Sequence, residues 1–563
     1  VPQINVRRWN GSLATSLDPE QTVPGDFTRL RNFIYNDTGL PTVRGGRRIW
    51  GSGISAKFQE SGSPQPIRGL FYFKQGGTTN RPRDFIIGYG GTKIKYGTDP
   101  ITGPWTEIQT GLDSGLKPSF ASLRDWVIFA SDSEIDSKPR FWNGQRDVMK
   151  IMKDAPDSHI VAVHANRAWY VDQNSPSKIT YSALFEPDNF NVSQGSGSLF
   201  IGPGDGGVIT ALVPGFSGEM IIFKDSPSGG STWRLSGLSE LDFQVSPLSQ
   251  TIGSIGPATM VGDKDVFFGS RRGIHSLKRV IQFGDLESAN IDTEISGLWR
   301  DLPDKQKMAA VAVDDYTMDT WYLFIDTDLD GLNDHGWLFN YRHRGPRGNP
   351  KISEVTFGAE SATMIQDHRM SRNFLMTGNA DGFTRTENHP EASDQTSFSV
   401  RDDITWEMHL HPIDANDAFG VKAWKTLWLK HDIWGESNFD VRWFGDNQRP
   451  TIRTISMNPA GIPTPFVGGV RANESRYSPS VIRTQNVVNL QRGGTAITIQ
   501  IAGTRGRTTF RGLTLNYETG APNVTVGQWF PYTEARQKVH LQLHKPTQVG
   551  TSGFSDGFSD GFA

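Results

Sequence analysis

Phe85-Ile86-Ile87, Val127-Ile128-Phe129, Trp169-Tyr170-Val171, Ile221-Ile222-Phe223, Val266-Phe267-Phe268, Tyr322-Leu323-Phe324 and Phe374-Leu375-Met376 are seven versions of one short phrase. Each is an apolar, aromatic-rich run. After a turn, each is answered by a second: Ile94-Lys95-Tyr96, Arg140-Phe141-Trp142, Ile179-Thr180-Tyr181, Trp233-Arg234-Leu235, Gly273-Ile274-His275, Trp337-Leu338-Phe339 and Phe383-Thr384-Arg385. Centre to centre, the first runs are spaced by 42, 42, 52, 45, 56 and 52 residues. A propeller blade is an antiparallel sheet whose inner strands are covered on both faces, so it demands short apolar strands at a loose period of this length. The spacing therefore predicts an all-β chain with a β-propeller of six or seven blades over residues 67–395.

The flanks read differently. Residues 1–66 are dense in Gly, Pro, Asn and Asp and predict an extended arm. Within the arm, residues 31–46 predict a strand, an Asn36-Asp37-Thr38-Gly39 turn and a second strand, a hairpin expected to cover the first blade. Beyond the propeller the grammar becomes period two: Ile404, Trp406, Met408 and Leu410 alternate with Thr405, Glu407, His409 and His411. Further runs at 426–430, 439–443, 497–501 and 513–517 do the same. Such alternation predicts a C-terminal antiparallel β-sandwich or jelly-roll domain, residues 396–526. Residues 527–563 read as a C-terminal arm ending in Gly-Phe-Ser-Asp repeats. There Phe554, Phe558 and Phe562 are candidates for docking on a neighbouring subunit or partner.

Composition narrows the chemistry. The chain has 563 residues, too many for one core. Its 16 Trp and 61 Gly suit β-structure with many turns. With no cysteine, disulfides, thiolate metal sites and a Cys nucleophile are excluded. A net charge of -3 gives no basic field to hold nucleic acid. No apolar run approaches the ~18 residues of a membrane-spanning helix, so no membrane span is expected.

Asp326-Thr327-Asp328-Leu329-Asp330-Gly331-Leu332-Asn333-Asp334 is the sharpest local motif. Asp at positions one, three, five and nine, with Gly at six, is the oxygen-rich pattern that wraps Ca²⁺. Asp326, Asp328, Asp330, Asp334 and the Leu332 carbonyl are the candidate ligands. Position twelve is Trp337 rather than Glu, so the loop is not an EF-hand. It is similar to the calcium hairpins of integrin-type propellers, where the ion braces a loop. A solvated acidic hairpin is the alternative.

Other motifs fail on context. Ser226–Trp233 resembles the Asp-box turn of sialidase-type propellers, but Ser228 stands where the Asp belongs. Gly202-Pro203-Gly204-Asp205-Gly206-Gly207 satisfies a phosphate-loop pattern, yet a strand follows it rather than a helix. His409 and His411 share a strand face without an evident third metal ligand. Two basic clusters are candidates for contact: Arg44, Arg47 and Arg48 with a partner or phosphate, and the short loop holding Arg342, Arg344 and Arg347 with an acidic partner or a pore lumen, a solvated loop being the default reading of the second. No catalytic residues are assigned, and no enzyme activity or required cofactor is expected.

One passage carries a resemblance. Met220-Ile221-Ile222-Phe223-Lys224 precedes Thr232-Trp233-Arg234-Leu235-Ser236-Gly237. Then come Gly253-Ser254-Ile255-Gly256-Pro257 and Val266-Phe267-Phe268-Gly269-Ser270-Arg271-Arg272-Gly273-Ile274. In this order, with the early Asn36-x-x-Gly39 and Arg44-x-Gly46, the chain resembles the tail nozzle, or tail tubular protein B, family of short-tailed bacteriophages. The resemblance covers residues 30–400 by motif and the C-terminal domain by architecture, and the chain is shorter than the larger nozzle proteins. It implies a structural protein of the virion tail, assembled in the bacterial host cytoplasm. Its partners would be five further copies in a hexameric ring, a portal-adaptor protein, and tail fibre, spike or needle proteins. Viral DNA would contact it in passing during ejection. The competing expectations are a carbohydrate-binding, receptor-facing propeller using exposed Trp and Asp, and a glycosidase, which would need a carboxylate pair at a funnel mouth.

Overall fold

The computed structural model describes residues 2–519 apart from 7–8, 10, 18–21, 24, 51–56, 76–82, 99–104, 134–136, 146, 228, 284–288, 368–371, 390–392, 398, 416, 418–419, 446–449 and 458–481. Across these residues the chain is all-β, and its centre is a propeller. Blade one comprises Ile67–Gln75, Arg83–Gly90, Lys93–Thr98 and Thr106–Gln109. Blade two comprises Ser119–Leu123, Trp126–Ala130, Arg140–Trp142 and Lys150–Ile151. Blade three comprises Ser158–His164, Arg167–Asp172, Lys178–Tyr181 and Gly197–Phe200, and blade four Val208–Phe216, Glu219–Asp225, Ser231–Ser236 and Gln244–Ser249. The fifth sheet has three strands, Ala258–Val261, Asp265–Gly269 and Ile274–Ser276. Blade six is built from Val311–Asp315, Thr320–Ile325, His335–Arg344 and Pro350–Val355. Blade seven takes Ser361–Asp367, Arg372–Gly378 and Thr384–His389, and its outer strand is Gly46–Ile49 from the N-terminal arm.

The first strand of each sheet packs beside the first strand of the next, and that of blade seven beside that of blade one, closing the ring. Among the described residues, six blades thus have four strands and the fifth in chain order has three. The apolar runs that announced the propeller are the second strands, and their answering runs the third. Both are sandwiched between neighbouring blades. Thr320–Ile325 is buried at every position. Aromatic rings bridge the seams: Phe71 stacks on Phe120 at 5.7 Å, and Phe223 meets Phe268 at 4.6 Å. Each such side chain removed from water contributes ~1.5–3 kcal/mol.

Blade six does not end at its fourth strand. Pro350–Val355 bonds in parallel, at Arg31↔Glu354, to Phe27–Arg31 of the N-terminal arm. That strand pairs antiparallel with Trp406–Leu410, which pairs in turn with Ile497–Thr519. The result is one 13-stranded sheet running from the propeller into the C-terminal domain. The arm also supplies Gln3–Val6, paired with residues 513–516. Its hairpin, Phe33–Tyr35 with Pro41–Val43, packs on blade six rather than the first blade, with Ile34 among Tyr322, Phe324 and Leu338. Asn36 shapes the turn, accepting from the N–H groups of Thr38 and Leu40. Gly39 has φ +75°, and a Cβ there would lie 2.9 Å from the His343 ring, so only glycine fits.

The C-terminal domain forms its sandwich with strands that turn a corner. Lys422–Gly445 and Ile497–Thr519 pair along nearly their whole lengths, with register shifts at Lys430/His431 and at Trp434/Asn438. Ile482–Gly494 flanks the first half of Lys422–Gly445 and Thr451–Met457 the second. Trp443 Nε1 donates to the Leu490 carbonyl across the two halves. Irregular pairing where a strand passes from one layer to the other is the usual way to fold long strands over a shared core. That core holds Trp424, Leu427, Leu429, Val441, Trp443, Val488, Ile499, Ile501 and Leu513. It is continuous with Phe27, Phe33, Trp321 and Phe339 of the arm and blade six. The alternation in Trp406–Leu410 is as expected: Trp406, Met408 and Leu410 are buried, while Glu407 and His409 are half-exposed.

Candidate functional sites on the axial face

Every connection between blades delivers the chain to the start of an inner strand on one face of the propeller. The hairpins between second and third strands open on that same face. Concave places where several loops converge are where ligand sites form.

The Asp-rich loop sits here, joining Thr320–Ile325 to His335–Arg344. Asp326, Asp328 and Asp334 bring one carboxylate oxygen each within 4.8 Å of one another. Asp326 is buried and shapes the loop, accepting from the N–H groups of Leu329 at 2.7 Å and Gly331 at 2.9 Å. Asp334 accepts from Thr327 N–H and hydroxyl at 2.7 and 2.6 Å. Asp330 lies outside the converging group and accepts from the Leu332 N–H at 2.8 Å. The Asp330 N–H pulls the Asp328 carboxyl down. Partial desolvation and the charges of Asp330, Asp334 and Asp326 outweigh that bond and hold it above its ordinary value. Three converging carboxylates with no thiolate or imidazole are a donor set for a hard cation such as Ca²⁺.

The loop is anchored to the ring axis. Asn333 N–H donates to Glu360 at 2.6 Å, and Glu360 lies 3.8 Å from Arg68, which reaches the Gly331 carbonyl at 3.4 Å. Glu360 is buried, and desolvation raises its pKa. Arg68 belongs to the inner strand of blade one and Glu360 immediately precedes that of blade seven. Lys117 approaches from the connection into blade two. Its Nζ donates to the carbonyls of Met308 at 3.1 Å and Ala310 at 2.7 Å, in the connection into blade six. Arg68, Lys117, Ala310 and Glu360 thus all stand at the starts of inner strands, on the face where the blade connections lie, and Lys117 ties the start of blade two to that of blade six. No sequence motif marks these four, because they lie in four connections far apart in the chain and meet only once the ring closes.

The first basic cluster and Arg347 are turned inward, while Arg342 and Arg344 stay exposed. Arg44 is buried and donates from both terminal nitrogens to Asp394, at 2.8 and 2.5 Å, and from Nε to Asn32 at 3.0 Å. Arg47 is buried too; it donates to Glu387 at 3.0 Å and Asn379 at 2.5 Å and lies 3.9 Å from the centre of the Phe357 ring. Desolvation lowers the Arg47 pKa, Glu387 offsetting part of the effect. Neither residue presents its charge to a partner, contrary to expectation. Arg47 lies on the closing strand and latches it to blade seven through Glu387, while Arg44, two residues before that strand, ties it to Asp394 of the short strand Ser393–Gln395. Arg48 is half-buried on that strand, and its carbonyl accepts from the Thr386 hydroxyl at 3.5 Å. Arg347 also turns inward, reaching Asp26 of the arm at 3.0 Å. Arg342 is exposed and pairs with Asp37 at 3.2 Å and Asp319 at 3.3 Å. Arg344 is exposed, its pKa lowered first by desolvation and then by Arg279.

The remaining motifs are structural. Residues 202–207 connect blades three and four, and buried Lys224 fills them, donating to the Ile201 and Gly202 carbonyls and to Asp205 at 2.5 Å. His411 Nε2 lies 2.8 Å from the Ala14 carbonyl, while His409 is 3.9 Å from Glu407. Ser228, Phe554, Phe558 and Phe562 lie outside the described residues. No helix among the described residues is long and apolar enough to cross a membrane.

No protein-family model and no curated protein matches the chain. Solved structures do resemble it. An exo-β-1,3-galactanase from Phanerochaete chrysosporium is 9% identical, over 84% of this chain and 100% of that one, with a TM-score of 0.25. The Dos1 propeller is 11% identical over 65% and 93%, with a TM-score of 0.36. PorZ, a surface component of the type-IX secretion system of Porphyromonas gingivalis, is 10% identical over 73% and 46%, with a TM-score of 0.32. The class that the fold defines is a β-propeller protein.

Proposed function

We propose that the chain is a structural component of a short-tailed bacteriophage tail, a nozzle-type ring subunit that conducts genomic DNA and anchors fibres or spikes. The observation that supports this most is the 13-stranded sheet. By running from blade six through the arm into the C-terminal domain, it makes two β-domains one stiff body, as a load-bearing ring subunit requires. The motif order around residues 220–277 points the same way. The net charge of -3 suits a conduit, since each phosphate neutralised by a fixed cation would add grip on the passing strand. Heterologous contacts between copies would close the ring, and the portal-adaptor, spike and needle proteins would meet its two ends. Mass photometry and negative-stain imaging of the purified full chain test this. A species six times the 62.4 kDa chain mass with an axial channel is expected. A monomer that binds glycans would overturn it in favour of a receptor-facing, carbohydrate-binding propeller.

We propose further that the Asp326, Asp328 and Asp334 carboxylates hold a structural Ca²⁺ that braces the axial loop. Ligand at 100 times its Kd stabilises the folded state by ~2.7 kcal/mol, enough to move the Tm of a chain this large by roughly 1–3 °C. Added calcium is expected to raise Tm by that amount, chelator to reverse it, and Asp328→Asn to abolish the response. A Tm indifferent to both reagents rejects the ion.

A further inference from the structure

The fifth blade is where the regular ring is altered. Its third strand, Ile274–Ser276, meets no fourth strand among the described residues. A single antiparallel bridge, His275↔Asn290, stands in its place, and the Ile291 N–H donates to the Ile274 carbonyl at 2.9 Å. Directly opposed residues of an antiparallel pair share a face, as do residues two apart along a strand. The register therefore puts His275, Asn290, Gly273 and Asp292 on one face, with Gly273 opposite Asp292. Ile274 and Ile291, between them, turn the other way into the core.

On the shared face, buried acceptors lack donors. Asp292 is 0% exposed, and neither carboxylate oxygen has a hydrogen-bond partner; the N–H groups of Ile274 and of Asp292 itself come near without bonding. Asn290 Oδ1 is also buried without a partner, although the residue as a whole is half-exposed. Gly273 leaves open the space between them: a Cβ there would lie 2.9 Å from Asn290 Oδ1 and 3.2 Å from Asp292 Oδ1. His275 is fully buried, its Nδ1 without a partner and its Nε2 2.7 Å from Ser270 Oγ. No cation among the described residues pairs with Asp292. Glu294 adds a like charge, while Arg279 donates to the Asn290 carbonyl at 2.9 Å and Arg347 lies 3.9 Å from Glu294.

A sealed carboxylate with neither donor nor counter-ion is too costly to stand alone. One water has two protons, fewer than the acceptor atoms gathered here. We infer that Asp292, Asn290 and His275 form a structural site for one small divalent cation of the zinc class. The donors are a carboxylate, an amide oxygen and an imidazole nitrogen, a set that suits zinc and is too poor in oxygen for Ca²⁺, which takes 6–8. His275 ligates through Nδ1 and gives its Nε2 proton to Ser270 Oγ, a bond that fixes tautomer and ring. The ion ties residues 290–292 to the third strand, doing there what a fourth strand's ladder does in the other blades.

The test uses the full chain, purified without a metal-affinity tag, stripped with chelator and titrated with Zn²⁺, and with Co²⁺ as a spectroscopic probe. Asp328→Asn is run beside the wild type so that the Asp-rich loop cannot supply the ion. Both are expected to take up about one equivalent of Zn²⁺ and, with Co²⁺, to give the strong visible bands of a four-coordinate centre. Asp292→Asn keeps the shape and removes the charge, and should weaken uptake by about 100-fold or more, the upper end of what losing even an outer partner costs. Asn290→Ala, at a half-exposed residue, carries the same test if Asp292→Asn does not fold. Absence of uptake by the wild type overturns the proposal and leaves a water between Asn290 and Asp292. Uptake that neither variant weakens overturns it too, since the ion would then sit on other residues.

Discussion

Replacing Arg47 with methionine is expected to lower the stability of the folded chain by about 3–5 kcal/mol, read as a fall in the midpoint of denaturant unfolding. The size follows from what is left behind. Glu387 is 4% exposed, and Arg47 is the cation that its carboxylate faces at 3.0 Å. Asn379 and Thr377 lose a donor at the same stroke. Removing one partner of a buried pair strands a charge in low dielectric, a larger penalty than the pair's own net contribution. The double variant Arg47→Met/Glu387→Leu should therefore recover more than half of the loss. Arg342→Met is the control. Its pairs with Asp37 and Asp319 lie at the surface, and their loss should cost less than ~1 kcal/mol. Equal effects at Arg47 and Arg342 would mean that the latch contributes nothing special to ring closure.

Trp406→Ala should be as damaging, by about 3–5 kcal/mol, through the cavity it opens. Trp406 is fully buried, with its ring 5.6 Å from Phe33 of the arm, 5.7 Å from Phe510 and 5.9 Å from Phe439. It also lies against Gly503, where even a Cβ would come within 2.4 Å of the indole. Three segments distant in sequence meet on this one ring. Calorimetry should show wild type and variant each melting in one transition, because arm, blade six and C-terminal domain share a single core. Two well-separated transitions in the wild type would show that the shared sheet does not couple the domains.

The propeller was legible because second and third strands are buried on both faces and so are written in Ile, Val, Phe and Trp. The inner strands were not. Ser119–Leu123 is Ser-Phe-Ala-Ser-Leu and only partly buried, because it borders the channel. Alternation in the C-terminal domain identified Trp406, Met408 and Leu410 correctly, since one face of that strand is core and the other meets solvent. The Asp loop could be recognised because its carboxylates fall within nine residues. Its anchor, Glu360, could not, being 27 residues away in another blade. Arg44 and Arg47 misled for a related reason. Arg-Gly-Gly-Arg-Arg, residues 44–48, reads as a surface patch until the partners of Arg44 and Arg47, 350 and 340 residues further on, are folded beside it.

That separation has a temporal side. Gly46–Ile49 leaves the ribosome early, but the strand it must join, Thr384–His389, is made some 340 residues later. At ~5–20 residues per second, the interval is roughly 20–70 s. For all of it the closing strand lacks its blade-seven neighbour, and Arg44 and Arg47 lack Asp394 and Glu387. Phe27–Arg31 waits still longer for Trp406–Leu410. The nascent chain therefore makes its fasteners well before the eyelets they enter. An unpaired strand is a template for another chain, so the longer it waits for blade seven the longer that capture competes with folding, and crowding on a polysome would favour the capture.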